Sequence, residues 1–421
     1  MTDIIKEDCR SVAVIGCGAA GMMAAVTAAQ CGADVTVYER NPFAGKKLRI
    51  TGKGRCNVTN SCTPREVLDA VRSNSKFLYG AVNRFSPSDV MEFFEEAGVP
   101  LKTERGRRVF PVSDRASDIS DALIRRMREN GVRVLYGHRV NGIAETDRGI
   151  AVRTSEGEGL YRAVIVATGG ISYPATGSTG DGHRMLRRLG VGVTPLRPSL
   201  VPIVTAEDNA PLSGLTLKNV TLRVYHEDEV VYSELGELLF THFGVSGPLV
   251  LSASANMQSY PTDTYRMEID LKPALSPEEL DKRLVSDFAK YAARDFINAL
   301  SDLLPQKLIS YVVVRSGVEP HRKVATLTRA ERQRLGGILK AYTLTPVSFR
   351  PVDEAIVTSG GVEVGEIDPR TMELKKHRGI FVCGELIDID AYTGGYNLQL
   401  AFSTARAAGI AAAEVAEEYT V

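Results

Sequence analysis

Three glycines and one carboxylate form the most chemically informative spacing in this sequence. The stretch Gly16-Cys17-Gly18-Ala19-Ala20-Gly21 lies between a short apolar run, Ser11-Val-Ala-Val-Ile15, and an Ala-rich stretch from Met22 to Gln30. In such a strand–turn–helix, Gly16 permits the tight turn and Gly18 lets a phosphate approach the backbone. Gly21 lets the helix pack on the strand. The helix start offers unpaired N–H groups and the positive end of its dipole to an anion. A second run, Val35-Thr-Val37, ends at Glu39, where an acid accepts hydrogen bonds from ribose hydroxyls, and Arg40 follows it. An acid about 20 residues after the glycines completes a dinucleotide-binding arrangement.

Three further motifs extend that chemistry. Gly45-Lys46-Lys47 opens a basic, glycine-rich loop that runs through Thr51-Gly-Lys-Gly-Arg55-Cys56-Asn57 to Asn60. Its backbone amides and cations can wrap phosphate, and its place just after Glu39 lets it reach back over a cofactor. It is also what a solvated basic loop would look like. Ala167-Thr168-Gly169-Gly170 ends an apolar run from Ala163, and small residues at a strand's carboxyl end let a dinucleotide lie across the sheet edge. Near the C-terminus come Gly384-Glu385, Asp388 and Tyr392-Thr-Gly-Gly395-Tyr396-Asn397-Leu398. An acid past a strand end can bind ribityl hydroxyls, and the helix expected from about Asn397 to Glu418 can stabilise negative charge on a flavin's N1/O2 edge.

The elements that must hold these motifs follow from periodicity. Residues 86–98 and 115–130 have helical spacing. Residues 138–168 read as a small antiparallel meander leading into the buried run 163–167. The stretch from about 195 to 351 opens with Pro195, Pro198 and Pro202, carries strand patterns at 215–225 and 230–240, and becomes helical from Ser276-Pro277-Glu-Glu279 onward. Gly379 to Gly384 reads as another buried strand. The expected fold class is α/β, a Rossmann-type dinucleotide domain formed by 1–195 and 351–421 and split by an inserted domain, 196–350. The insertion reads as a β part, about 196–270, followed by a helical part, about 276–345.

The chain has 421 residues, with 51 Lys+Arg against 51 Asp+Glu. That balance gives no global field toward nucleic acid or an anionic membrane, so neither is expected as a partner. The six cysteines (Cys9, Cys17, Cys31, Cys56, Cys62 and Cys383) form no C-x-x-C pair, which points to a reducing compartment, no metal and no dithiol chemistry. A cytoplasmic protein acting on a small molecule is the expectation.

The combination of Gly16 to Gly21, Lys53-Gly-Arg-Cys-Asn57, Ala167 to Gly170, Thr241-His-Phe-Gly-Val-Ser-Gly-Pro248, Thr358-Ser-Gly-Gly-Val362 and Thr393-Gly-Gly-Tyr-Asn397 resembles the BaiN/YhiN-like bacterial flavoproteins over nearly the whole chain. The resemblance implies a glutathione-reductase-type FAD domain with a two-part insertion, and an FAD-dependent oxidoreductase that takes electrons from NAD(P)H. It implies that Val140 meets the adenine through its backbone, that Arg55, Cys56 and Asn57 lie near the flavin end, and that Thr358, Gly360 and Gly361 border the ring. His242 and Tyr396 are the first candidates for proton donor, with His183 beside them. One member is associated with reducing unsaturated 3-oxo bile-acid intermediates, so an enone-like acceptor is the leading expectation. A flavoprotein acting on RNA and a flavin-bearing sensor without turnover are the alternatives. The insertion is expected to cover the flavin's reactive face.

Overall fold

The computed structural model describes residues 10–257 and 264–418. Cys9, most of the polar stretch from Thr2, and residues 258–263 of the expected β segment lie outside them. The chain divides into two compact units, Met1–Ser199 with Val352–Val421, and Leu200–Pro351.

The first unit is built on a six-stranded sheet. Its order is Glu373–Leu374, His377–Val382, Ala163–Val166, β1 (Ser11–Ile15), β2 (Asp34–Glu39) and Arg133–Tyr136. All neighbours run parallel except the Glu373–Leu374 edge, which is antiparallel. Every residue of β1 and of Ala163–Val166 is buried, because a parallel sheet is covered on both faces. That requirement is why these strands read as unbroken apolar runs. Helix α1 (Ala19–Gln30) starts three residues earlier than expected, with Gly18 as its N-cap residue. It packs closely against the C-terminal helix Tyr396–Glu418: a Cβ placed on Gly409 would lie 2.7 Å from the Ala24 carbonyl oxygen. The meander is present as Val140–Thr146, Gly149–Thr154 and Glu158–Tyr161.

Two small sheets complete this unit. One pairs Thr59–Asn60, Arg108–Pro111 and Leu101–Glu104. The other is a ribbon of Arg197–Ser199 against Val357–Ser359, the two strands by which the chain leaves the unit and returns.

The Leu200–Pro351 unit has its own core, including Leu222, Val224, Phe240, Met267 and Ile269, all fully buried. Its seven-stranded antiparallel sheet has the order Tyr342–Leu344, Tyr265–Asp270, Thr216–His226, Glu229–Thr241, Gly244–Ser246, Ile203–Thr205, Pro346–Phe349. The helices Pro277–Lys290, Gln306–Ser316 and Arg329–Lys340 are therefore an excursion from a sheet that closes after them, where the sequence suggests a β part followed by a helical part. The Ser276 hydroxyl and the Glu279 carboxylate form a reciprocal capping box at the first of these helices.

Candidate functional site

The glycine turn after β1 shows why each glycine is needed. The Gly16 N–H donates to the Tyr38 carbonyl at 2.8 Å. Gly16 has φ of +100°, and a Cβ there would lie 2.7 Å from the Ala167 carbonyl oxygen. A Cβ on Gly21 would overlap the Gly16 carbonyl, so the first turn of α1 sits directly on the glycine turn. Gly18 differs: it is extended (φ −85°, ψ −168°), and a Cβ there would meet nothing within 4 Å. The open space is on the side where α1 begins, and that helix has neither a side-chain cap nor an acid in its first turn. An anion approaching Gly18 thus meets backbone N–H groups that no protein carboxylate has already claimed.

Glu39 is only 6% exposed. Its carboxylate accepts from the Cys17 N–H at 2.8 Å and from the N–H and side-chain amide of Asn41, each at 2.7 Å. A carboxylate offers about four lone-pair sites, so this one is oriented by the turn and retains capacity for a ribose hydroxyl. Arg40 reaches Thr179 at 2.7 Å and Asp181 at 3.2 Å.

Segments after several strands meet in one polar knot. Lys47 Nζ donates to Ser172 Oγ at 2.6 Å and Glu385 Oε2 at 2.7 Å. Glu385 Oε1 accepts from the Thr358 N–H at 2.8 Å, and Thr358 Oγ1 accepts from the Ile171 N–H at 2.8 Å. A Cβ on Gly170 would overlap the Thr358 hydroxyl. Lys46 is spent on the Ala175 carbonyl at 2.7 Å. Gly384 has φ of +70° and lies against Ala20. The carboxyl of Asp388 is pushed up by burial, and the Gly361 N–H donates to Thr194 Oγ1 at 2.9 Å beside it.

The loop Leu48–Gly54 is irregular, with Gly52, Lys53 and Gly54 consecutively in the left-handed region. Arg55 is committed to Glu104 and Asp114, at 2.5 Å each, and stacks 4.2 Å from the Phe110 ring centroid. These contacts commit its guanidinium to the hairpin 101–111 and the turn after it. Cys56 is fully buried and burial pushes its thiol up to about 12, which makes it inert at neutral pH. Asn57 Oδ1 and Thr168 Oγ1 are buried atoms with no hydrogen-bond partner among the described residues. Of the two, Thr168 lies beside the glycine turn, its Cα 3.2 Å from where a Cβ on Gly16 would stand, and its orphaned hydroxyl leaves a hydrogen bond open to a ligand there.

At the C-terminal helix, Gly395 sits so close to Thr59 that a Cβ would overlap the Thr59 carbonyl. Asn397 does not cap the helix. Its side chain bonds back to Ala391, accepting at 2.9 Å and donating at 2.7 Å, and so fixes the preceding turn. Leu398 packs on the core from the first turn. Val140 is buried and opens the meander opposite Thr154. Tyr396 opens the helix with its ring beside Gly394, whereas His242 is exposed in the Leu200–Pro351 unit, edge-on to Phe243 at 5.0 Å. His183 is 1% exposed, with Nε2 3.0 Å from the Leu386 carbonyl and Nδ1 without a partner among the described residues. Burial pushes it down to about 4, so it is a neutral interior imidazole.

Asn41, Ser172 and Asn60 escape a reading by residue type, because small polar residues in turns look alike whether they hold a loop or a ligand. Together, the opening over Gly18, the spare capacity of Glu39 and the orphaned Thr168 hydroxyl fit a pyrophosphate-bearing dinucleotide.

The family model described as HI0933-like protein Rossmann domain matches residues 10–411. The chain is 29% identical over 410 residues to the 3-dehydro-bile acid delta(4,6)-reductase of Clostridium scindens, covering 96% of this chain and 99% of that one. It is 30% identical over 402 residues to the ribosomal RNA dihydrouridine synthase of Haemophilus influenzae, covering 94% and 97%. Among solved structures, the 3-ketosteroid-delta4-(5alpha)-dehydrogenase of Rhodococcus jostii shares the fold, with a TM-score of 0.52 at 16% identity over 97% of this chain and 98% of that one.

Proposed function

The chain belongs to the HI0933-like Rossmann family, and from that premise we propose that this FAD-dependent oxidoreductase saturates a C=C bond conjugated with a carbonyl. The observation that carries the cofactor reading is the open face at Gly18 over an uncapped helix start, with Glu39 held ready beside it. The acceptor class rests on chemistry that the two curated relatives share. A 3-oxo group conjugated with ring double bonds and the C5=C6 bond of uridine beside its C4 carbonyl are both polarised alkenes. Each takes a hydride at the β-carbon and a proton at the α-carbon.

Bound FAD would supply the two-electron step, accepting hydride from NAD(P)H and delivering it to the acceptor. The chain's own residues do the rest. The backbone at Gly18 and α1 binds the pyrophosphate, Glu39 holds the ribose, and Val140 meets the adenine through its backbone. The Lys47–Ser172–Thr358–Glu385 knot fixes the segments that border the ring, with Gly360 and Gly361 next in line. The start of Tyr396–Glu418 would offer a positive dipole end to the flavin's N1/O2 edge. His242 and Tyr396 are the side chains to test as the proton donor. Cys56 and Cys383, both pushed up to about 12 by burial, stay protonated and out of the redox chemistry.

A second reading places the acceptor in RNA, and a local surplus of exposed cations on the first unit favours it. Net charge near zero argues against nucleic acid only as an average over the surface. Both readings are tested by incubating the holoprotein with NADPH or NADH and either a 3-oxo-Δ4 steroid or uridine-containing RNA. Mass spectrometry should show a gain of two hydrogens in one product, and no gain in either would end the proposal.

A further inference from the structure

The tip of the hairpin formed by Leu101–Glu104 and Arg108–Pro111, together with Lys53, carries charge that the fold does not use. Arg105, Arg107, Arg108 and Lys53 are all exposed. Nearby acids are already spent: Glu66 on Arg107 at 2.8 Å, Glu104 on Arg55, and Asp114 on Arg55 and Lys102. Lys53, Arg105 and Arg108 have no acidic partner among the described residues. Arg108 Nε donates instead to the Arg105 backbone carbonyl at 3.1 Å, with its guanidinium 5.9 Å from the Phe110 ring centroid. The Arg55 bridge to Glu104 ties the Lys53 loop to the hairpin.

This tip is coupled to the cofactor turn. Asn60, 1% exposed, donates its amide to the Gly106 carbonyl at 3.0 Å in the tip. The same amide donates to the Gly394 carbonyl at 3.1 Å, in the turn that precedes the C-terminal helix. One buried side chain thus pins the cationic tip to the turn before the C-terminal helix, which the function given above sets against the flavin. A group of unneutralised cations fixed beside a redox site, on a protein of zero net charge, has the form of a substrate-positioning device.

We propose that Lys53, Arg105 and Arg108 form a docking surface for the phosphate backbone of an RNA substrate, which the site beside them then reduces. This rests on the RNA branch of the function given above. The test uses the full-length holoprotein and a fluorescein-labelled 20-nucleotide oligouridylate, followed by anisotropy at 50, 100 and 200 mM KCl. Three phosphate contacts on a single strand give a log–log salt slope of about −2, or roughly a 20-fold loss of affinity across that range. The variant Lys53→Glu/Arg105→Glu/Arg108→Glu should weaken binding by at least about 10-fold and flatten the slope by about 2. The control Arg148→Glu/Lys218→Glu/Lys282→Glu changes net charge equally and should stay near wild type. Equal losses in both variants, or no wild-type binding, would overturn the proposal. Polyglutamate competing as well as RNA would also overturn it, assigning the surface to an acidic protein. Flavin content and bleaching by NADPH are read on the same samples. If these are intact while RNA binding is absent, only the docking proposal fails.

Discussion

Replacing Gly18 by Ala separates a ligand-binding glycine from a structural one. The residue has extended backbone that any amino acid adopts, and an added Cβ would touch no protein atom within 4 Å. The apoprotein should therefore lose nothing. Restricting the unfolded chain could even stabilise it by about 0.4–1 kcal/mol. The methyl group would instead fill the space through which the pyrophosphate reaches the backbone. Charge-assisted hydrogen bonds contribute about 1.5–3 kcal/mol each, so holding the anion off costs about 2–3 kcal/mol, or roughly 30- to 150-fold in FAD affinity. Gly21→Ala is the contrasting variant, since its Cβ would overlap the Gly16 carbonyl and neither backbone can yield. Overpacking of this kind costs about 1–3 kcal/mol of stability whether or not FAD is present. The assay is titration of apoprotein with FAD by flavin fluorescence, alongside thermal melts without cofactor. A Gly18→Ala protein that melts normally and binds FAD as tightly as wild type would refute the placement of the pyrophosphate.

Glu39→Ala should weaken FAD retention by about 1–3 kcal/mol, with FMN affinity far less affected because FMN has no AMP half; equal effects on both would remove Glu39 from the ribose. His183 titrates near 6.5 when unfolded and at about 4 when folded, because burial disfavours its cation. The unfolded chain binds the extra proton, so stability is full above pH 6.5 and falls by about 3 kcal/mol as pH drops from 6.5 to 4. His183→Gln should flatten that stretch in urea melts taken at several pH values, and an unchanged slope would count against the buried neutral imidazole. His242→Ala and Tyr396→Phe should leave flavin reduction by NAD(P)H intact, and the true proton donor should slow product formation by about 100-fold or more; if neither does, the proton comes from elsewhere.

Residues that answer to backbone requirements were legible from the sequence, and residues that answer to distant partners were not. Gly21 and Glu39 serve a local strand–turn–helix whose demands lie within about 25 residues, so spacing reveals them, whereas Gly16 answers both to that turn and to the distant Ala167 carbonyl. Arg55 looks the same in sequence whether it meets a phosphate or, as the structure shows, Glu104 and Asp114 across a separate hairpin. The capping box at Ser276 announces its helix, whereas the strands Tyr342–Leu344 and Pro346–Phe349 are too short for a pattern and exist through pairing with Met267–Ile269 and Ile203–Thr205. Helix α1 begins at Ala19 rather than Met22 because Ala19-Ala20-Gly21 reads as a turn in sequence but is helical once Gly18 holds the extended N-cap position.

The most direct test of an FAD enzyme acting on a conjugated alkene is anaerobic stopped-flow of the holoprotein. NADH or NADPH should bleach the visible absorbance of the flavin, and an enone or a uridine-containing RNA mixed in next should restore it. A flavin that neither nicotinamide reduces at millimolar concentration, or that only oxygen reoxidises, would contradict it.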